Sequence, residues 1–409
     1  MSPHKRRIPK PLSGSEEGTW AHHTIVVRFQ EILRRTRSEN DFPPSMDRRL
    51  EALGSEIPES PIRQLRDHHA PDAEDWRSFV APYLGSDWLD PPWFFVEHYF
   101  YRRILEAVDY FGGGPDPFQW QKERGLQAST GMIVPLAKQV DEWLKEEPFS
   151  RRAVEDMVYY NLWGNQADLS LWPADSEETP DHTNLNQANQ HLLVDDSGKV
   201  LSLLEDREGR GVIVDFLIDN AGFELVSDLA FADLLLSKSW AGEVRFHVKG
   251  HPTFVSDAIE KDVEHTISYL SANESDLVRA LGERLEEHRG KARLSLRSDF
   301  FWNSPLAFWD LPSRMVDSLG QGDMLISKGD ANYRRLMGDR HWPFKTPFTD
   351  VVDYLPVHLA ALRTLKAEVV VGLSEDQIRK AEGEDPDWMV DGRWGLIQFA
   401  PPKGGKRVS

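Results

Sequence analysis

The sequence predicts an α/β protein: a three-layer α/β/α Rossmann-like domain with a mostly parallel sheet, preceded by a helical N-terminal domain. Three observations predict it. From Trp20 to about Leu171 apolar residues recur at helical spacing, with Ile25, Val26, Phe29, Ile32 and Leu33 forming one stripe. A stretch at 173–190 rich in Asp, Glu, Ser, Thr and Pro then has the composition of a connector. Beyond it, short β-branched runs alternate with amphipathic segments, the pattern of parallel strands joined by crossover helices.

In chain order, residues 1–17 are expected to be a loose tail, rich in Pro, Gly and Lys and without apolar periodicity. The helical domain is placed at 18–190, where Trp93 to Val108 and Met132 to Leu144 repeat the helical habit. The Rossmann-like domain is placed at 191–402, with a short tail at 403–409. Its first strand is Val212 to Ile218, followed by a turn at Asp219, Asn220, Ala221 and Gly222. A helix from Glu224 to Leu236 comes next, with Leu225, Leu229, Ala232 and Leu236 on one face. The second strand, Val244 to Val248, leads past Asp257 into a helix from about Lys261 to Leu270. The third, Met324 to Ser327, ends at Lys328 and Gly329 and enters a helix over Ala331 to Met337. A fourth lies at Leu359 to Thr364, followed by Glu368 to Gly372 and a late strand at Trp394 to Phe399.

Composition narrows the functional classes. With 40% apolar and 11% aromatic residues in 409, the chain can fill a substantial core. A formal charge of −19, from 67 acidic against 48 basic residues, argues against nucleic-acid partners, which need a basic face. Small ligands are expected instead, and a bound cation can invert the local field enough to admit a phosphate. There is no cysteine, so disulfides, thiolate metal sites and a cysteine nucleophile are excluded together, and any metal must use oxygen or imidazole donors. No stretch approaches the roughly 18 apolar residues that a membrane span needs, and no apolar segment follows the basic start. A cytoplasmic chain is expected, with a nuclear fraction if Lys5, Arg6 and Arg7 serve as a signal.

In an open parallel sheet, ligands bind beyond the carboxyl ends of the strands. Three polar clusters fall there: Asp219 with Asn220, then Asp257, then Lys328, Asp330, Asn332, Tyr333 and Arg334. Asp219, Asn220 and Asp257 offer two carboxylates and an amide carbonyl, hard oxygen donors suited to Mg²⁺ or Mn²⁺. The structural alternative is that these Asx residues only cap helices. For the third cluster it is a solvated helix start, although Gly329 permits close approach of backbone to a ligand. Absences also inform. The first strand carries Asp215 and Asp219 in place of an Asp-x-Asp pair, which disfavours an aspartyl nucleophile, and no Walker or dinucleotide glycine fingerprint follows a strand. The adjacent pairs His22–His23 and His68–His69 point about 100° apart on helices and make poor metal ligands.

Five ordered segments resemble the metal-dependent damage-control phosphatases, in particular the subfamily containing the acidic-residue methyltransferase-like proteins. They are Trp163 to Ser170, Asp219 to Leu229, Phe254 to Asp257, Lys328 to Arg340, and Arg363 to Lys366, which is similar to the subfamily's Arg-Thr-x-Lys signature. The resemblance implies a metal held by Asp219, Asn220 and Asp257, with Mn²⁺, Co²⁺ or Ni²⁺ supporting activity and Mg²⁺ a further candidate. It implies a substrate grip from Asp330, Ala331, Asn332, Tyr333, Arg334 and Lys366, with Glu97 and Arg102 on a helical segment that closes over the cleft. Asn165 and Asp168 match a supporting motif. The implied reaction is hydrolysis of small phosphorylated metabolites such as fructose 1-phosphate or fructose 6-phosphate, with Asp257 or Asp330 accepting the proton of water. The chain is expected to act as a monomer on a small phosphate ester. The alternatives are an S-adenosylmethionine-dependent protein-glutamate methyltransferase, disfavoured by the missing glycine-rich loop, and a non-catalytic binding protein.

Overall fold

The computed structural model describes residues 8–164 and 189–403. Its frame is a seven-stranded sheet made of β1 (Leu192–Asp195), β2 (Ile213–Leu217), β3 (Glu243–Lys249), β4 (Leu294–Asp299), β5 (Met324–Lys328), β6 (His358–Thr364) and β7 (Gly395–Ala400). The order is β1-β7-β6-β5-β2-β3-β4, parallel throughout except where β7 runs antiparallel to β6. The chain runs outward from β2 through β3 to β4 and, on the other side, from β5 through β6. The switch in strand order therefore lies between β2 and β5, and the C-terminal ends of β2, β3, β5 and β6 share one rim.

Alternation along the central strands sends side chains to two apolar layers. Val214, Phe216, Met324 and Ile326 enter one, while Leu217, Leu325, Leu359 and Ala361 enter the other. The first layer is covered by the helices Thr130–Lys145, Arg151–Trp163 and Phe223–Ser237, the second by Phe29–Glu39, Trp93–Ala107 and Asp330–Met337. The expected three-layer α/β/α arrangement is thus present. The sheet begins at Leu192, beside the expected boundary at 190/191, yet each core draws on both sides of it. Phe29 and Phe100 share a core with Leu217, and Val140 and Val158 share one with Phe216, so the early helices are the sheet's covering layers.

The N-terminal expectation is corrected in part. From residue 8 onward the segment is docked: Leu12 is 2% exposed, donates its N–H to Asp339 O at 3.0 Å and accepts from Trp93 N at 2.8 Å. Residues 1–7 and 404–409, Asn165, Asp168 and most of the connector lie outside the described residues. The periodicity reading passes over β1 and β4. The first is only four residues long, and the second is an edge strand whose side chains are mostly exposed or half-buried. Val369, Val370 and Val371 are buried but add no strand. Among the described residues no helix is long and apolar enough to cross a membrane.

Candidate active site

The loops after β2 and β3 are fastened to each other by backbone hydrogen bonds. Ala221 N donates to Ser256 O at 2.7 Å, Ala258 N donates to Asp219 O at 2.8 Å, and Asn220 and Asp257 form an isolated antiparallel bridge. Asp219, Asn220 and Asp257, separated in sequence, therefore sit together at the rim, 5%, 4% and 2% exposed. Reaching this pairing forces Phe254 (φ 48°) and Val255 (φ 67°) into the left-handed region. A β-branched residue there is strained by about 1–3 kcal/mol, an outlier of the kind that concentrates at functional sites. Gly222 (φ 76°) supplies the turn into the following helix at no such cost.

A chain of buried polar contacts fixes these side chains. Asn220 Nδ2 donates to Glu224 Oε2 at 2.8 Å and to Asp219 Oδ2 at 3.1 Å, and Asn220 Oδ1 accepts from Ser256 Oγ at 2.6 Å. Lys328 Nζ donates to Glu224 Oε1 at 3.1 Å and to Asp228 Oδ1 at 2.8 Å. Burial pulls the Lys328 ammonium down, and the two carboxylates overcome that and leave it above its ordinary value. Burial, with the nearby Glu224 charge adding to it, raises Asp228 despite Lys328. On the β3 side, Lys249, 1% exposed, holds Asp257 Oδ2 at 2.8 Å.

Asp219, Asn220 and Asp257 form one wall of a cleft, together with Asp330, Ala331 and Lys366. Asp330 Oδ1 accepts from Arg363 Nε at 2.8 Å and from Lys366 N at 3.1 Å, while Arg363 Nη2 donates to Ala367 O at 2.9 Å. The Arg363–Lys366 turn is thereby wrapped around Asp330, which brings the Lys366 side chain to the cleft. The opposite wall holds Trp20, Thr24, Arg28, Trp93, Glu97 and Arg334. Arg334 pairs with Glu97 Oε2 at 2.5 Å and with both oxygens of Asp339 at 2.7 and 3.0 Å, its guanidinium 3.6 Å above the Trp93 ring. Burial outweighs Arg334 at Glu97 and, with Asp339 opposing ionisation as well, pushes the carboxyl up to about 7.

Of the residues expected at the site, Asp219, Asn220, Asp257, Asp330, Ala331, Arg334, Lys366 and Glu97 line this cleft. Arg102, Asn332 and Tyr333 lie outside that lining. Arg102 is fully buried, bonded to Asp72 at 2.8 and 2.9 Å and to Asp67 at 2.7 Å, so its guanidinium braces the Trp93–Ala107 helix. Asn332 Nδ2 donates to Lys328 O at 2.9 Å and to Ile218 O at 3.3 Å, tying the ends of β5 and β2 together. Tyr333 donates to Gln398 Oε1 at 2.9 Å within the core. Sequence reasoning missed Thr24, Arg28, Glu224 and Lys249. Only Glu224 carried a signal, one helical turn after Asn220.

Among the described residues no group of three or more His, Cys, Asp and Glu is arranged to hold a metal. The donor set here is instead two carboxylates and an amide oxygen, all hard donors that fit a divalent cation of the Mg²⁺ or Mn²⁺ kind. The charge of the lining agrees: Asp219, Asp257, Asp330 and Glu97 stand against Arg28, Arg334 and Lys366. With the Glu97 carboxyl raised to about 7, the three aspartates are only matched by the three cations, and a divalent cation would make the lining net positive for a phosphate dianion.

The sequence model of the Damage-control phosphatase ARMT1-like domain matches residues 14–381. Relatives each described as damage-control phosphatase ARMT1 align along nearly the whole chain. The zebrafish (Danio rerio) protein is 31% identical over 96% of this chain and 97% of its own. The cattle (Bos taurus) and rat (Rattus norvegicus) proteins are 34% and 33% identical, each over 96% of this chain and 99% of their own. A solved DUF89 family protein from Pyrococcus horikoshii overlays with a TM-score of 0.47 at 12% identity, covering 94% of this chain and 98% of its own, too remote to bear on the site. With the family's domain spanning residues 14–381 and relatives above 30% identity along almost the full length, the chain belongs to the ARMT1-like damage-control phosphatases.

Proposed function

We propose that the chain is a metal-dependent phosphatase that hydrolyses small phosphorylated metabolites, sugar phosphates such as fructose 1-phosphate or fructose 6-phosphate foremost. The observation that carries this reading is the fastening of the two post-strand loops, which gathers Asp219, Asn220 and Asp257 on one wall of a cleft that also holds Lys366. Those three side chains would hold Mn²⁺, Co²⁺, Ni²⁺ or Mg²⁺, and such a cation supplies Lewis-acid polarisation of the phosphate and a more acidic water.

The remaining work falls to the chain's own groups. Lys366 neutralises charge on the phosphoryl oxygens as the ester bond breaks, and Arg334, held in place by Glu97 and Asp339, is a second cation of the lining. Asp330 is the group best placed to accept the proton of the attacking water. Its side chain is 14% exposed and its contacts with Arg363 and Lys366 N all fall on Oδ1, whereas the Asp257 side chain is 3% exposed. Trp93 and Tyr101, both buried, exclude bulk water from the inner end of the cleft.

The test is phosphate release from a panel of phosphate esters, with chelated protein and with each metal added back. Metal-stimulated release by the wild type that disappears in a folded Asp219→Ala variant supports the reading. Absence of release from every ester with every metal, or full retention in Asp219→Ala, contradicts it.

A further inference from the structure

The helix along the second wall of the cleft is not a regular α-helix. Trp20–His23 and Phe29–Glu39 are α-helical, and the intervening Thr24–Arg28 is a π-helical segment. Trp20, Thr24, Arg28 and Ile32 all line the cleft, at a constant spacing of four. In an α-helix four residues overshoot a turn by about 40°, so three such steps would rotate the last residue about 120° away from the first. A π-turn closes its hydrogen bond one residue later and absorbs about one residue, leaving a net drift of about 20°. The π segment thus keeps all four side chains in one row facing the ligand wall.

Within that row Thr24 is 2% exposed, and its hydroxyl has no hydrogen-bond partner among the described residues. A threonine inside a helix ordinarily returns its hydroxyl to the carbonyl four residues back. The Thr24 hydroxyl makes no such bond. On the Trp93–Ala107 helix, Trp93, 1% exposed and lining the same cleft, has an indole N–H equally without an acceptor among the described residues. Buried polar groups in folded proteins are almost always satisfied, so two orphans in one cleft point to a ligand that brings its own hydrogen-bonding groups. A hydroxyl both donates and accepts, which suits Thr24, and it also accepts, which suits the indole.

We infer that Thr24 is a specificity-determining residue that binds a hydroxyl on the carbon skeleton of the phosphate ester, and that the π segment exists to aim it. The preferred substrates are polyhydroxylated esters. This inference rests on the phosphatase reading of the site. Arg28, stacked 5.2 Å from the Trp20 ring centre, walls the same pocket and excludes an apolar substituent.

The experiment compares kcat/KM for fructose 1-phosphate with kcat/KM for phenyl phosphate, which has no hydroxyl to recognise, in metal-supplemented wild type, Thr24→Val and Thr24→Ser. The ratio is expected to fall about tenfold in Thr24→Val, equivalent to about 1.4 kcal/mol, and to return to within about threefold of wild type in Thr24→Ser. Should Thr24→Val fail to fold, Thr24→Ala against Thr24→Ser supplies the same contrast. An active wild type whose ratio is unmoved by loss of the hydroxyl, or lowered equally by Ser, overturns the inference alone. A wild type that turns over neither ester with any of the metals overturns this inference, and one that releases phosphate from no ester in the panel overturns the phosphatase reading with it.

Discussion

Glu224 accepts the Asn220 amide N–H at 2.8 Å, shorter than the 3.1 Å contact of the same nitrogen with Asp219, and so leads in fixing which end of the amide faces the rim. A carboxylate can only accept, so Nδ2 must face it and Oδ1 must turn the other way, toward Ser256 and the Asp257 loop. Lys328, bonded to the other Glu224 oxygen, keeps Glu224 in place. Replacing Glu224 by Gln, which donates as readily as it accepts, removes the constraint. Glu224→Gln is expected to weaken Mn²⁺ binding by about 10–100-fold, the usual cost of losing an outer-shell partner. Calorimetric titration of the metal checks this, and an unchanged dissociation constant would count against the orienting role.

Lys249 supplies positive charge to Asp257 from beneath, with both side chains almost wholly buried. Removing one member of a buried pair leaves the other uncompensated, at about 3–5 kcal/mol. Lys249→Met should therefore lose about 3 kcal/mol of stability in chelated protein and recover part of it when Mn²⁺ is added, because the cation then faces the same carboxylate. Urea unfolding with and without metal gives the answer; equal losses in both conditions would show that the two cations do not share Asp257.

Arg102 and Lys366 are expected to separate cleanly. Arg102→Met breaks the buried contacts to Asp67 and Asp72 and should destabilise by about 3–5 kcal/mol, with KM of the folded fraction within about twofold of wild type. Lys366→Ala, at the cleft itself, should leave the melting temperature nearly unchanged and raise KM about tenfold. A raised KM in Arg102→Met with normal stability would restore it to the substrate grip.

Glu97 links the cleft to pH. Its carboxyl is raised from 4.5 to about 7, chiefly by burial. The folded state therefore holds this proton more tightly than the unfolded chain does. The corresponding stability is fully present below pH 4.5 and is lost as pH rises through about 7, by roughly 3 kcal/mol in all. Glu97→Gln cannot titrate, so the wild-type minus variant difference in unfolding free energy should fall across pH 4.5–7 and level off above it. A difference that rises with pH over that window would reverse the assignment.

How far the sequence anticipated this molecule depended on whether a feature is local. The β-branched run of β2, its Asp219–Gly222 turn and the helix after it are encoded by neighbouring residues, and the structure reproduces them within a residue or two. The rim position of Asp219, Asn220 and Asp257 followed from strand ends in a parallel sheet. Lys249 carried no such signal, because its importance depends on which loop folds back over β3. The buried pairing of Arg102 with Asp67 and Asp72 was not legible, because those partners lie in loops with no periodicity to locate them. Thr24 was hidden for a different reason: the π segment interrupts the 3.6-residue period on which helical faces are counted.

The measurement closest to the central claim is a titration of Mn²⁺ into chelated protein, followed by calorimetry, for wild type, Asp219→Ala and Asp257→Ala. One ion per chain should bind in the wild type, and both variants, still folded by circular dichroism, should lose that binding. Undiminished binding of the ion in either variant would mean that the carboxylates gathered at the rim do not share it.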